Sequence, residues 1–510
     1  MRYLHYILLI GTIQFSSQIL LGQAFCDYRY NNIWLLGGRD NDTIVNNYGG
    51  CEIDFSTSPI TLRYHPKPIN APFQNASICS RSGNLLCYSN GCEVRNGQDQ
   101  IVINGDSLNP GEIFTANCPD IGYNGFQNMF ILPFSSDTNL YYIFHIDKVY
   151  NYDPNAPFVV HTENLYYSKL DVTAHGGKGE LIEKNRVIVR DTGMLGSPMS
   201  AVRHGNGTDW WIITPDRWTN GFYITLLDST GPEFVGVQYI GDLTDPRATG
   251  GQGKFSPDGS KFAWYHPLNG LFLYDFDRAL GSLNNFIRID IPEVDFITGG
   301  CEFSPSGRFL YINQDTSLFQ LDMKSENIQE SLIKIADYDG FKEPLPTTFF
   351  LMERTPDQRI IVNALNGSQY LHVIQEPDRK GLGCRFEQHT LKLPTVNNFT
   401  LPHFPNYSLG QLSEPLCDSI WVSTDQREVG VKGNQYKVAP NPAIDYLRIV
   451  SFENEYIKNI EVSLYNTHGS LVLSSKQTLL DLSDLTSGIY ICRITDDTGY
   501  SQIEKIVVSH

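Results

Sequence analysis

The sequence predicts an all-β chain: a β-propeller, with seven blades the best fit, followed by a small C-terminal β-sandwich. A turn motif leading into an apolar strand recurs 48 residues apart in the middle of the chain. The composition, 28 Tyr, 28 Phe and 43 Gly with only 18% charged residues, suits short strands and tight turns and excludes disorder and coiled coil. After Tyr436 the blade rhythm has stopped and a separate alternation begins, as a sandwich of about 75 residues requires. The net charge of −18 over 510 residues argues against nucleic acid as a partner, because such binding draws on Lys and Arg to release counterions.

At the N-terminus, Arg2 precedes an apolar stretch from Tyr6 to Leu21, followed by Gly22, Gln23 and Ala24. This is the order of a secretory signal peptide, expected over residues 1–24. Gln14, Ser16, Ser17 and Gln18 interrupt a stretch already shorter than the roughly 20 apolar residues a span needs, so a membrane anchor fits less well. Phe25 is bulky where a lipoprotein signal needs a small residue before Cys26. No other segment could cross a membrane, so the mature chain is expected to carry no transmembrane anchor.

All ten cysteines follow the signal, and an exported chain meets an oxidising compartment in which thiols pair. Cys79 and Cys87 lie symmetrically about Gly83, where a hairpin would bring them opposite one another. Cys51, Cys92 and Cys118 are further candidates, and connectivity does not follow from spacing. Cys492, in an alternating strand, reads as a buried thiol. Neither C-x-x-C nor H-E-x-x-H occurs, so no metal ligand is assigned.

The repeat is clearest at Phe255-Ser256-Pro257-Asp258-Gly259-Ser260 and Phe303-Ser304-Pro305-Ser306-Gly307-Arg308, with a weaker copy at Arg354-Thr355-Pro356-Asp357-Gln358-Arg359. Pro fixes its own backbone, Asp or Ser bonds back to the turn, and Gly accepts the positive φ that reverses the chain. Fainter turns fall at Arg81–Tyr88, Ser135–Tyr142 and His204–Trp211. Periods of roughly 40 to 50 residues mark propeller blades, since one small sheet cannot bury both faces alone. The 385 residues from Asn31 to Pro415 hold seven blades of about 55, with six or eight also possible. The seventh is expected to close between N- and C-terminal strands.

Asp275 and Asp277 follow an outer strand and read as turn caps rather than an acid–base pair. Asp337-Tyr338-Asp339-Gly340 begins like a calcium loop but lacks the spaced acids and distal Glu, so it reads as a turn. Arg203, His204, Asp209, Trp210, Trp211 and Trp218 are the most suggestive cluster, because aromatic faces beside polar groups suit sugars or peptides. Adjacent Trp210 and Trp211 must point to opposite faces, which favours packing between blades. A ligand would more naturally sit at the channel mouth, where loops of several blades converge.

The segments Leu165–Ser168, Gly179–Asn185 and Ala201–Trp211, together with the blade-closing Leu271–Arg278 and Leu318–Met323, resemble a family of secreted WD40-like propellers from Bacteroidetes. The resemblance covers most of residues 31–415, implies fold and compartment, and carries over no catalytic residue. The C-terminal motifs Pro440-Asn441-Pro442, Leu464–Gly469, Leu482–Ile491 and Lys505–Val508 resemble the type A sorting domain of the Bacteroidetes type IX secretion system. That resemblance implies recognition by the type IX machinery, export through the outer membrane, and a secreted or cell-surface destination. Asn466 and Cys492 depart from the usual pattern there.

The expected organisation is signal peptide 1–24, propeller 25–415, linker 416–436 and sorting sandwich 437–510. G-x-S-x-G, Walker and dinucleotide motifs are absent. No catalytic, cofactor-binding or metal residue is assigned, and no cofactor is expected. The best-fitting role is a recognition module for an unidentified protein or glycan ligand. A secreted hydrolase or lyase acting on peptide or polysaccharide is the alternative, and a structural component of an adhesive layer the third reading.

Overall fold

The computed structural model describes residues 28–38, 49–118, 120–152, 160–245, 251–266, 268–292 and 299–412, and most of 436–508. The expected signal peptide, Cys26 and nearly all of the expected linker lie outside the described residues. The chain divides into two compact units, Met1–Ile420 and Trp421–His510.

The first unit is a seven-bladed propeller. In chain order its sheets open with the strands Ile33–Gly37, Ala76–Cys79, Met129–Pro133, Ser200–Arg203, Gln252–Phe255, Gly299–Phe303 and Phe349–Arg354. Blades 3 to 7 are four-stranded antiparallel meanders, and blades 1 and 2 show three strands. Each recurrent turn joins the first and second strands of its blade. In the clearest copies the Ser256 hydroxyl accepts the Lys261 N–H at 2.9 Å and the Ser304 hydroxyl accepts that of Phe309 at 3.1 Å. In the weaker copy the Thr355 hydroxyl accepts the Arg359 N–H at 3.0 Å. Gly259 and Gly307 both sit at φ +70°, and Gln358 takes the same conformation at φ +69°. The motif is thus the local hydrogen-bond programme of a reversal that aims an apolar strand back along its predecessor.

Blades bury their faces against one another through aromatic side chains. Phe222 of blade 4 packs edge-on against Trp264 and Tyr274 of blade 5, with centroids 6.1 and 5.3 Å away. Trp210 and Trp211 do point to opposite sides. The Trp210 indole donates to the Pro133 carbonyl of blade 3, and that of Trp211 to the Arg278 carbonyl of blade 5.

The innermost strands are stitched by buried amides. The Gln252 carbonyl oxygen accepts the Cys301 and Met352 N–H groups, and its amide donates to the Met352 carbonyl. Asn313 joins Gly300 to Phe350 in the same way, and Gln127 joins the Gly253 peptide of blade 5 to Ser200 of blade 4. Inner strands of different blades share no ladder, so these side chains satisfy backbone groups that would otherwise be buried unpaired.

Ring closure differs from the strand pairing expected. No described sheet mixes strands from the two ends. Instead residues 397–408 run antiparallel to residues 28–37 at the inner edge of blade 1, held by side chains. Asn397 accepts the Gly37 N–H, Phe404 packs on Trp34 at 5.7 Å and Tyr407 on Tyr30 at 5.3 Å, and the Ser408 hydroxyl reaches the Tyr28 carbonyl. Pro402 and Pro405 lack the N–H groups a ladder would use, which accounts for packing without pairing.

The expected opposition of Cys79 and Cys87 also fails. The hairpin forms, but a register irregularity after Ile78 sets Ile78 opposite Cys87 and Cys79 opposite Leu85. Both remain buried free thiols, as do Cys51, Cys301, Cys384 and Cys492, whereas Cys92 and Cys118 are bonded.

The second unit is a β-sandwich. One sheet comprises Tyr436–Ala439, Tyr446–Ser451 and Leu479–Asp481. The other comprises Leu471–Ser475, Ile460–Tyr465, Gly488–Asp496 and Ser501–Val508. Leu447, Val462, Leu464, Cys492, Ile494 and Ile506 fill the space between them.

Candidate functional site

A cavity of about 590 Å³ opens at the mouth where the first-to-second-strand turns converge. Its wall is the seam of the ring: Tyr28, Arg29, Asn31 and Asn32 on one side, His403–Ser408 on the other, with Pro257, Pro305 and Pro356 of three successive repeats between them. Asn406 ties the seam to blade 5 by donating to the Pro257 carbonyl at 2.7 Å, and the Tyr407 hydroxyl donates to the Ile131 carbonyl of blade 3.

Four titratable side chains meet beneath it. The ammonium of Lys254 lies 2.5 Å from Glu353 Oε2 and 3.1 Å from Glu302 Oε2, all three side chains being at most 5% exposed. His403 Nδ1 lies 3.4 Å from the Lys254 nitrogen and 3.8 Å from Glu353 Oε2. Burial alone would lower the Lys254 pKa, but two carboxylates more than offset it and hold the group charged. One cation does not compensate two anions, and burial raises the Glu353 pKa despite Lys254. Burial and then the Lys254 charge push His403 well below the usual imidazole range, so its ring is neutral. Gln127, oriented by the Gly253 peptide, turns its N–H towards His403 Nε2 at 3.0 Å.

Buried carboxylates with a displaced pKa are a recognised feature of catalytic sites. Here their oxygens are spent within the protein. Glu302 also accepts the Phe303 N–H at 2.9 Å and the Arg354 N–H at 3.3 Å. The quartet therefore locks blades 5, 6 and 7 to the closing segment.

Sequence reasoning assigned none of these four residues a role. The available signal was positional: Lys254, Glu302 and Glu353 each stand two residues before the Ser-Pro or Thr-Pro turn of a successive repeat, a charge on an otherwise largely apolar strand. The cluster weighed from sequence lies elsewhere, and none of its six members lines the cavity. The Arg203 guanidinium covers the Trp210 ring at 4.0 Å and is buried, His204 packs on Trp211, and Asp209 accepts from Asn206. Trp218 is half exposed. Asp277 caps its turn by accepting the Ala279 and Leu280 N–H groups, while Asp275 pairs with Lys261 at 2.6 Å. Asp337 is paired with Lys334 and Asp339 with His389.

Residues 437–509 match the secretion system C-terminal sorting domain family. The chain thus carries a domain that marks it for secretion, outside the cell or on its outer surface. No helix among the described residues is long and apolar enough to cross a membrane. No curated protein matches the chain. Among solved structures, a Bacteroides uniformis protein provisionally described as a 6-phosphogluconolactonase is 12% identical with a TM-score of 0.43, over 72% of this chain and 97% of that one. The periplasmic gluconolactonase of Pseudomonas aeruginosa is 12% identical with a TM-score of 0.40, over 73% of this chain and 100% of that one. Likeness of this order assigns no activity, and the propeller assignment rests on the seven sheets themselves.

Proposed function

We propose that the protein is an exported recognition module, delivered by its C-terminal sorting domain through the type IX route, whose propeller binds a ligand at the ring seam. The observation that carries this reading is the cavity. At about 590 Å³ it falls within the roughly 300–1,000 Å³ range of small-ligand sites, and it brings aromatic and polar groups from both ends of the propeller and several of its blades to one mouth. A convergent pocket also favours ligand binding over a purely structural role in an adhesive layer.

The hydrolase reading draws on one observation, the buried Glu353 with its raised pKa. Against it, Glu302 and Glu353 both converge on Lys254 and are almost fully buried, at 3% and 4% exposed. The test is a glycan and peptide array probed with the full chain, scoring retention and turnover together. Retention without product is the expected result, product release would replace recognition by catalysis, and silence on both would remove the ligand-binding reading.

A further inference from the structure

Resting on the recognition reading above, we propose that the seam cavity takes an acidic saccharide, with the guanidinium of Arg354 receiving a carboxylate on the sugar ring. Arg354 ends the inner strand of blade 7 and lines the cavity. Its Nη1 is buried and has no hydrogen-bond partner. Among the described residues it forms no salt bridge, although three acids line the same cavity and one of them, Glu353, is near enough to feel its charge. Glu302 and Glu353 converge on Lys254, and Asp357 is held by Arg359 at 2.5 Å. Nη1 withdrawn from water without a partner costs free energy, and the planar fork of a guanidinium fits a carboxylate with two parallel bonds. The lining carries Arg29, Lys254 and Arg354 beside Glu302, Glu353 and Asp357, of which the first two acids are held by Lys254 and the third by Arg359.

The remaining lining suits a sugar ring. Tyr28 and Phe55 offer aromatic surface, Asn31, Asn32 and Asn406 offer amides, and the prolines of three repeats add C–H-rich edges. Such walls pack against the flat faces of a pyranose while the amides meet its hydroxyls.

The experiment measures binding of trigalacturonate, its methyl ester and neutral galactotriose to the full chain by calorimetry at low and high salt. The expected result is binding of the acid at least tenfold tighter than the ester, weakened by salt, with Arg354→Met removing the acid's advantage and Arg354→Lys restoring only part of it. Should Arg354→Met not fold, the acid-to-ester ratio on the unaltered chain and the Arg354→Lys variant decide the matter. Equal binding of acid and ester, or an acid preference unchanged by substitution at Arg354, overturns this inference and leaves the recognition reading standing. Failure of every sugar and peptide to bind overturns both.

Discussion

Replacing Lys254 by Met isolates the electrostatics of the propeller axis. The substitution keeps the length of the chain and removes the one cation that Glu302 and Glu353 share, leaving two carboxylates almost fully enclosed. Breaking a buried pair by removing one partner costs about 3–5 kcal/mol at neutral pH. Loss of the cation raises the Glu353 pKa further above its ordinary 4.5, because the opposing influence of Lys254 is gone. A carboxyl whose folded pKa is raised contributes stability that is full below its unfolded pKa and is lost as pH rises through the folded one. The variant's deficit should therefore be large at pH 7.5 and shrink steadily towards pH 4.5, as Glu353 takes up its proton. Urea unfolding followed by tryptophan fluorescence at several pH values measures it. The triple change Lys254→Met, Glu302→Leu, Glu353→Leu should recover most of the loss at pH 7.5, since apolar replacements of a whole buried cluster are often neutral or stabilising by about 1–4 kcal/mol. A deficit below about 1 kcal/mol, or one that does not change with pH, would refute the account of the quartet as one cation holding two buried anions.

Other substitutions separate backbone from packing. Gly307→Ala meets only Pro257 at 3.3 Å and should cost about 1–2 kcal/mol for its left-handed backbone, whereas Gly259→Ala would also press on Arg278 at 2.7 Å and Val202 at 2.8 Å and should cost more, as thermal shifts of the two variants would reveal. Phe404→Ala removes the aromatic wedge between Trp34 and Tyr407 and should destabilise the ring by about 3–5 kcal/mol, while proteolysis should begin at the seam sooner than in the unaltered chain. Burial pushes the Cys79 and Cys301 thiols up to about 12, so neither should react with iodoacetamide at pH 8 in the folded protein, and both should react in urea. Reducing Cys92–Cys118, which closes a loop with a sequence separation of 26, should lower stability by about 3 kcal/mol where the entropic account holds, measurable as a shift in the unfolding midpoint.

The sequence by itself determined whatever depends on a few adjacent residues. Ser256, Pro257, Asp258 and Gly259 make their turn from bonds within six residues, so its recurrence revealed strand, turn and strand, and blade repetition followed from the need to cover both faces of each sheet. The alternation around Leu464 and Cys492 likewise disclosed an inward face of the sandwich. Only the tertiary structure decided which positions of different repeats meet. A one-residue irregularity after Ile78 was enough to separate Cys79 from Cys87, because register sets which side chains face each other and spacing about a glycine does not. Lys254, Glu302 and Glu353 follow one another at intervals of about 50 residues, yet converge because they hold the same repeat position in successive blades. The cavity depends on more still. Residues 28–32 and 403–408 form one wall only after every blade between them has been placed, and no local signal carries that sum of seven rotations.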